Sequence, residues 1–190
     1  MYPVKFSVAY PDRPLNRLTT FFRIFTAIPI LVVIAVLEGH TSGLVIFPTL
    51  FLILFRQKYP RWWFDWNLQL MRFSARICAY LALMDDNYPS TDEEQSVTLE
   101  LSYPDARNDL NRWLPLVKWL LAIPHFIILV FLSLAAIVCV VFAWFAILVT
   151  ARYPRGLFEF VEGVFRWWNR VIAYAFVLVT DEYPPFSLSA

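Results

Sequence analysis

The feature that most constrains this chain is that its second half repeats its first. Val4–Asp12 (VKFSVAYPD) aligns with Val97–Asp105 (VTLELSYPD), and Ala27–Pro29 (AIP) with Ala122–Pro124 (AIP). Tyr59–Arg61 (YPR) aligns with Tyr153–Arg155, and Arg72, Arg76, Ala79 and Tyr80 with Arg166, Arg170, Ala173 and Tyr174. Tyr88–Pro89 then aligns with Tyr183–Pro184. The offset stays between 93 and 95 residues throughout. Greasy segments match one another by chance at Leu and Val, but not at ordered Tyr-Pro, Arg and Asp landmarks. The chain therefore divides into a first unit (1–90), an acidic linker (91–96) and a second unit (97–190) of the same design.

The solvent of these units is read from composition. Hydrophobic residues make up 59% of the chain and the mean hydropathy is +0.57, above the roughly 45–50% apolar usage of soluble domains. Sixteen basic residues against 15 acidic ones leave a formal charge of +1, so nothing points to nucleic acid. The two cysteines, Cys78 and Cys139, sit in apolar stretches and read as reduced packing residues. The opening residues lack the pattern of a cleavable signal peptide.

Each unit opens with period-two alternation: Val4, Phe6, Val8 and Tyr10, then Val97, Leu99, Leu101 and Tyr103. That period predicts one half-buried strand per unit, stopped by Pro-Asp. A single strand has no partner inside its own unit, so the two are expected to pair antiparallel as a short ribbon. Thr20–Leu37 measures about 27 Å as a helix at ~1.5 Å per residue, close to the ~30 Å hydrocarbon core. The interruption at 38–43 and the return of apolar residues at Leu44–Phe55 predict a hairpin, with His40 in its solvated tip. In the second unit Leu114–Val149 is 36 residues long with Lys118 its only charge, which predicts two helices and a tight turn near Ser133. Arg23 and Lys118 read as anchors snorkelling to the headgroups.

A third helix follows in each unit. On Trp62–Met84, Asp65, Gln69, Arg72 and Arg76 recur at spacings of four, three and four. The second copy carries Glu159, Arg166 and Arg170, with Gly163 in place of Gln69. With Trp62, Trp63, Trp66, Trp167 and Trp168 nearby, these read as two amphipathic interfacial helices. Basic residues flank both predicted hairpins while the hairpin tips carry none, which puts both termini and the ribbon on the cytoplasmic side. The expected fold is thus membrane α-helical: four transmembrane helices in two tandem hairpin units, two interfacial helices and a two-stranded antiparallel ribbon at the cytoplasmic surface.

The landmark segments YPVKFSVAYPDRPLNRLTTFFRIFTAIP and RWWNRVIAYAFVLVTDEYPPFS resemble a bacterial membrane-protein family known as domain of unknown function 4389, present here in two copies. The resemblance implies a multi-pass protein of the bacterial cytoplasmic membrane and brings no activity, cofactor or catalytic residue.

Catalytic, phosphate-binding and metal-binding motifs are absent from the sequence, so no enzyme, no metal and no resident cofactor is expected. His125 is the one side chain suited to ligate haem or chlorophyll, and its repeat counterpart is Ile30. The stripes Asp65, Arg72, Arg76 and Glu159, Arg166, Arg170 are candidate contacts for lipid headgroups or a polar path. Two functions remain open. One is an accessory or scaffold subunit packed against a larger membrane complex or its own copies. The other is a small transporter, channel or lipid-handling protein built on the paired stripes.

Overall fold

A computed structural model describes residues 2–41, 46–91 and 93–189. The alternating segments form β1 (Val4–Val8) and β2 (Val97–Leu101), antiparallel in the register Val4↔Leu101, Phe6↔Leu99, Val8↔Val97. Phe6 and Leu99 are repeat equivalents that pair with each other, so a pseudo-two-fold axis passes through the middle of the ribbon. Val4, Phe6, Val8, Val97, Leu99 and Leu101 face the core while Lys5, Ser7, Thr98 and Glu100 face outward. A two-stranded ribbon is marginal alone. Here its apolar face is covered by one helix from each unit.

In the first unit β1 is followed by α1 (Arg17–Phe21), α2 (Arg23–Thr41), α3 (Ile46–Phe51) with a π-helical turn at Leu52–Arg56, and α4 (Arg61–Leu81). In the second, β2 leads to a 3-10 turn (Leu114–Leu116), α5 (Lys118–Leu121), α6 (Ile123–Thr150), α7 (Arg155–Ile172) and a π-helical turn at Ala173–Val177. The units are crossed: α4 packs on β2 and α7 on β1. The crossing is locked by an exchange of tyrosines, with Tyr10 Oη donating to the Tyr153 carbonyl and Tyr103 Oη to the Tyr59 carbonyl. The backbone strain is duplicated as well. Gln57 (φ 44°) and Ala151 (φ 58°), and Leu83 (φ 63°) and Leu178 (φ 61°), take the left-handed conformation at matching helix ends, at roughly 1–2 kcal/mol each for a residue with a Cβ.

Four membrane helices are not what forms. Among the described residues one helix, α6, is long and apolar enough to cross a membrane. It runs through Ser133 without a turn, because no Gly or Pro follows Pro124 within it. Pro115 and Pro124 instead detach Leu114–Leu121 from its start as separate short turns. In the first unit α2 continues to Thr41, and the described apolar residues Ile46–Arg56 form helical turns of about 16 Å, shorter than the hydrocarbon core. The rest of the expected hairpin tip (42–45) and the side chain of His40 lie outside the described residues.

The interfacial placement of the striped helices is also corrected. α7 returns along α6, with Trp168 Nε1 donating to Ser133 Oγ at 2.9 Å and Trp167 Nε1 to His125 Nδ1 at 3.0 Å. Its other face meets β1, so it lies between α6 and the ribbon.

Candidate functional site

A two-stranded ribbon has two bare edges, each with backbone groups that need partners. Lys5 and Ser7 belong to hydrogen-bonded cross-strand pairs, as the flanking Ser102 N→Pro3 O and Ala9 N→Ser96 O bonds show. The carbonyls of Phe6 and Leu99 therefore point to the outer edges. Arg72 Nε donates to the Leu99 carbonyl at 2.9 Å, and Arg166 Nε to the Phe6 carbonyl at 3.0 Å. The repeated arginines are struts reaching from each helix to the other unit's strand. Arg166 also donates to the Leu188 carbonyl (2.7 Å) and pairs with Glu162 at 2.8 Å. Glu162 in turn accepts from Val8 N–H at 3.0 Å. The first unit has Leu68 at the matching position, so this ion pair belongs to one copy.

Asp65 and Glu159, expected in the same stripes, stand apart. Each pairs one helical turn back, with Arg61 at 3.2 Å and with Arg155 at 3.8 Å, on the exposed surface, where such pairs contribute little. Arg76 donates to the Ser90 carbonyl at 2.6 Å. Arg170 donates to the carbonyls of Ser187 (3.3 Å) and Ser189 (2.9 Å) and lies 5.8 Å from the Tyr2 ring. The C-terminal segment is thus held down on α7 by two arginines. Gly163 makes this possible: a Cβ there would stand 2.9 Å from Leu188 Cβ.

Between the β1 edge, α7 and this segment lies a cavity of about 560 Å³. Arg166 and Arg170 form its charged floor and Tyr2 and Pro185 its apolar sides, beside the strand edge at Val4 and Phe6, whose side chains face the core. Lys5, Ser7, Thr98 and Glu100, all exposed, stand at its mouth. Burial holds the Tyr2 hydroxyl well above the ordinary tyrosine range, against the lowering effect of Arg170, so it stays neutral.

Arg23 and Lys118 are not snorkelling anchors. Arg23 is 2% exposed and bonds Asp86 at 2.7 Å and the Asp85 carbonyl at 2.9 Å. Lys118 is fully buried and bonds Asp181 at 2.7 Å and the Thr180 carbonyl at 2.6 Å. Tyr80 and Tyr174 lie beside the two cations at 4.1 and 5.0 Å. Burial depresses the Lys118 ammonium below the usual lysine range, opposed by Asp181. The signal was present in the sequence: Asp86 and Asp181 stand at the same offset of 95 as Arg23 and Lys118. Asp85 is likewise buried, accepting from Asp86 N–H, Asn87 and Ser96.

His125 is fully buried, stacked on Phe186 at 4.0 Å and flanked by Tyr183. Because Trp167 donates to Nδ1, the neutral ring carries its proton on Nε2, which has no lone pair for a metal. The ring is enclosed by protein, and its Nε2 has no hydrogen-bond partner among the described residues.

Crossed striped helices, a shared ribbon and, among the described residues, one membrane-length helix define the class of molecule, a pseudo-symmetric duplicated helical protein. The chain belongs to the family described as domain of unknown function (DUF4389), which matches it twice, over residues 17–91 and 113–187. No curated protein and no solved structure matches it.

Proposed function

We propose that the chain is a non-catalytic protein of the bacterial cytoplasmic membrane, an accessory or scaffold subunit of a larger membrane assembly. The observation that carries this reading is the inverted polarity of the helices. α6 exposes Phe131, Leu134, Ile137, Val138, Phe142 and Phe145 at 53–69% each, and only 17% of its most apolar window is buried. α2 is similarly bare at Ile24, Phe25, Ile28 and Val32. Continuous apolar surface of this extent needs lipid or a partner's helices against it. The arginines that a transport path would use are turned inward instead, bonded to backbone carbonyls of the ribbon and the C-terminal segment. As a helix, α6 is about 42 Å long at ~1.5 Å per residue, enough to cross a ~30 Å hydrocarbon core with its ends in the headgroups. Basic residues flank both of its ends, Arg112 and Lys118 before it and Arg152 and Arg155 after it, so they give its orientation no bias.

The test is reconstitution combined with native purification. Vesicles holding the chain alone should pass ions and exchange anionic lipids no faster than protein-free vesicles. Mild-detergent extraction should recover the chain with a stoichiometric membrane partner, lost when Phe131 and Phe142 are changed to alanine. Flux through the purified chain, or a solitary chain unaffected by those changes, would overturn the scaffold reading.

A further inference from the structure

The cavity beside the ribbon has a charge imbalance that the fold does not explain. Of the cations around it, Lys5 faces Glu100 at 3.5 Å and Arg166 faces Glu162 at 2.8 Å. Arg170 is 4% exposed, and among the described residues no carboxylate lies within ion-pair distance of it. Two carbonyls accept from its Nη atoms, its Nε has no hydrogen-bond partner, and its neighbours are the like-charged Arg166 and the Tyr2 ring. A buried guanidinium held by carbonyls alone keeps its full charge, and a carboxylate or phosphate is the group that completes it. Beside it is a volume of about 560 Å³ with mainly apolar walls, within the roughly 300–1,000 Å³ of small-molecule sites.

We propose that this cavity is a binding site for a single-chain amphiphilic anion, its phosphate or carboxylate head on Arg170 and its aliphatic part against Tyr2 and Pro185. The head pairs with Arg170, which has no carboxylate partner among the described residues, and the chain covers the apolar surface of Tyr2 and Pro185. The site belongs to the second copy because the C-terminal segment forms one of its walls, with Pro185, Ser187 and Ser189 lining it. It stands independently of the scaffold reading.

The probe is octyl phosphate, titrated against the full chain in zwitterionic nanodiscs with empty discs as the reference. Saturable binding is expected, at least tenfold tighter than inorganic phosphate. Arg170→Gln should weaken it at least tenfold, and Arg170→Lys less. Thr98→Trp, on the exposed face at the mouth, should block binding while leaving the melting temperature unchanged, and it decides the matter if Arg170→Gln fails to fold. Doping the discs with an anionic phospholipid separates the sources. Competition identifies the bilayer as the supplier, and unchanged octyl phosphate binding identifies the aqueous side. Non-saturable uptake, equal affinity for inorganic phosphate, or wild-type binding in the folded variants would overturn the site.

Discussion

Replacing Arg166 with methionine tests the strut directly, because the consequences are countable. The change keeps much of the aliphatic stem and removes the donors to Phe6 and Leu188 and the partner of Glu162. The side chains of Arg166 and Glu162 are 11% and 14% exposed, so water screens the stranded carboxylate poorly. Breaking a buried pair by removing one partner costs about 3–5 kcal/mol. Glu162 retains its bond from Val8 N–H, which places the expected loss at the lower end, about 3 kcal/mol, or roughly a hundredfold in the folding equilibrium. Glu162→Leu, which installs the residue type of Leu68, should recover about 1–2 kcal/mol when added to Arg166→Met, because it removes the stranded charge. Unfolding of the detergent-solubilised chain, followed by tryptophan fluorescence against denaturant, gives all four corners of the cycle. A loss below about 1 kcal/mol for Arg166→Met, or a double variant no more stable than the single, would refute the strut.

Three further outcomes follow from the same contacts. Gly163→Ala should release the C-terminal segment, read as faster hydrogen exchange over 183–189 with helix content unchanged, since its Cβ would stand 2.9 Å from Leu188 Cβ. Ala151→Gly, at φ 58°, should raise stability by about 1 kcal/mol in the same unfolding assay, because glycine removes the left-handed penalty. The hydroxyls of Tyr59 and Tyr153 are held above their ordinary pKa of 10.0 by burial. Their neutral forms favour the folded state fully below pH 10, and that contribution is lost as pH rises above 10, where only the unfolded chain ionises them. The melting temperature should fall across that range, and Tyr59→Phe should reduce the fall.

The repeat made the ribbon legible: strands with no partner inside their own unit had to pair with each other, and Val4–Val8 and Val97–Leu101 do. The membrane crossings were not legible from length alone. Leu114–Val149 is too long for one crossing, but a turn needs a residue that breaks the helix. The breaks fall at Pro115 and Pro124, near the start, rather than at Ser133 in the middle. The stripes were visible as a spacing, yet spacing does not say whether a polar face meets headgroups, water or a strand edge. Counting unpaired backbone groups on the ribbon would have drawn Arg72 and Arg166 to it. Asymmetries at two aligned positions, Glu162 against Leu68 and Gly163 against Gln69, marked one place where the copies differ in contact. Their meaning needed the position of Leu188.

Lipid seating of α6 is tested most directly by site-directed spin labelling after reconstitution, with Cys78 and Cys139 first changed to serine. Nitroxides placed through Phe131→Cys, Val138→Cys and Phe145→Cys should collide often with oxygen and rarely with a water-soluble nickel chelate, whereas a label at Lys5→Cys on the outer face of the ribbon should show the reverse. Nickel collisions along α6 as frequent as at Lys5→Cys would contradict the membrane seat.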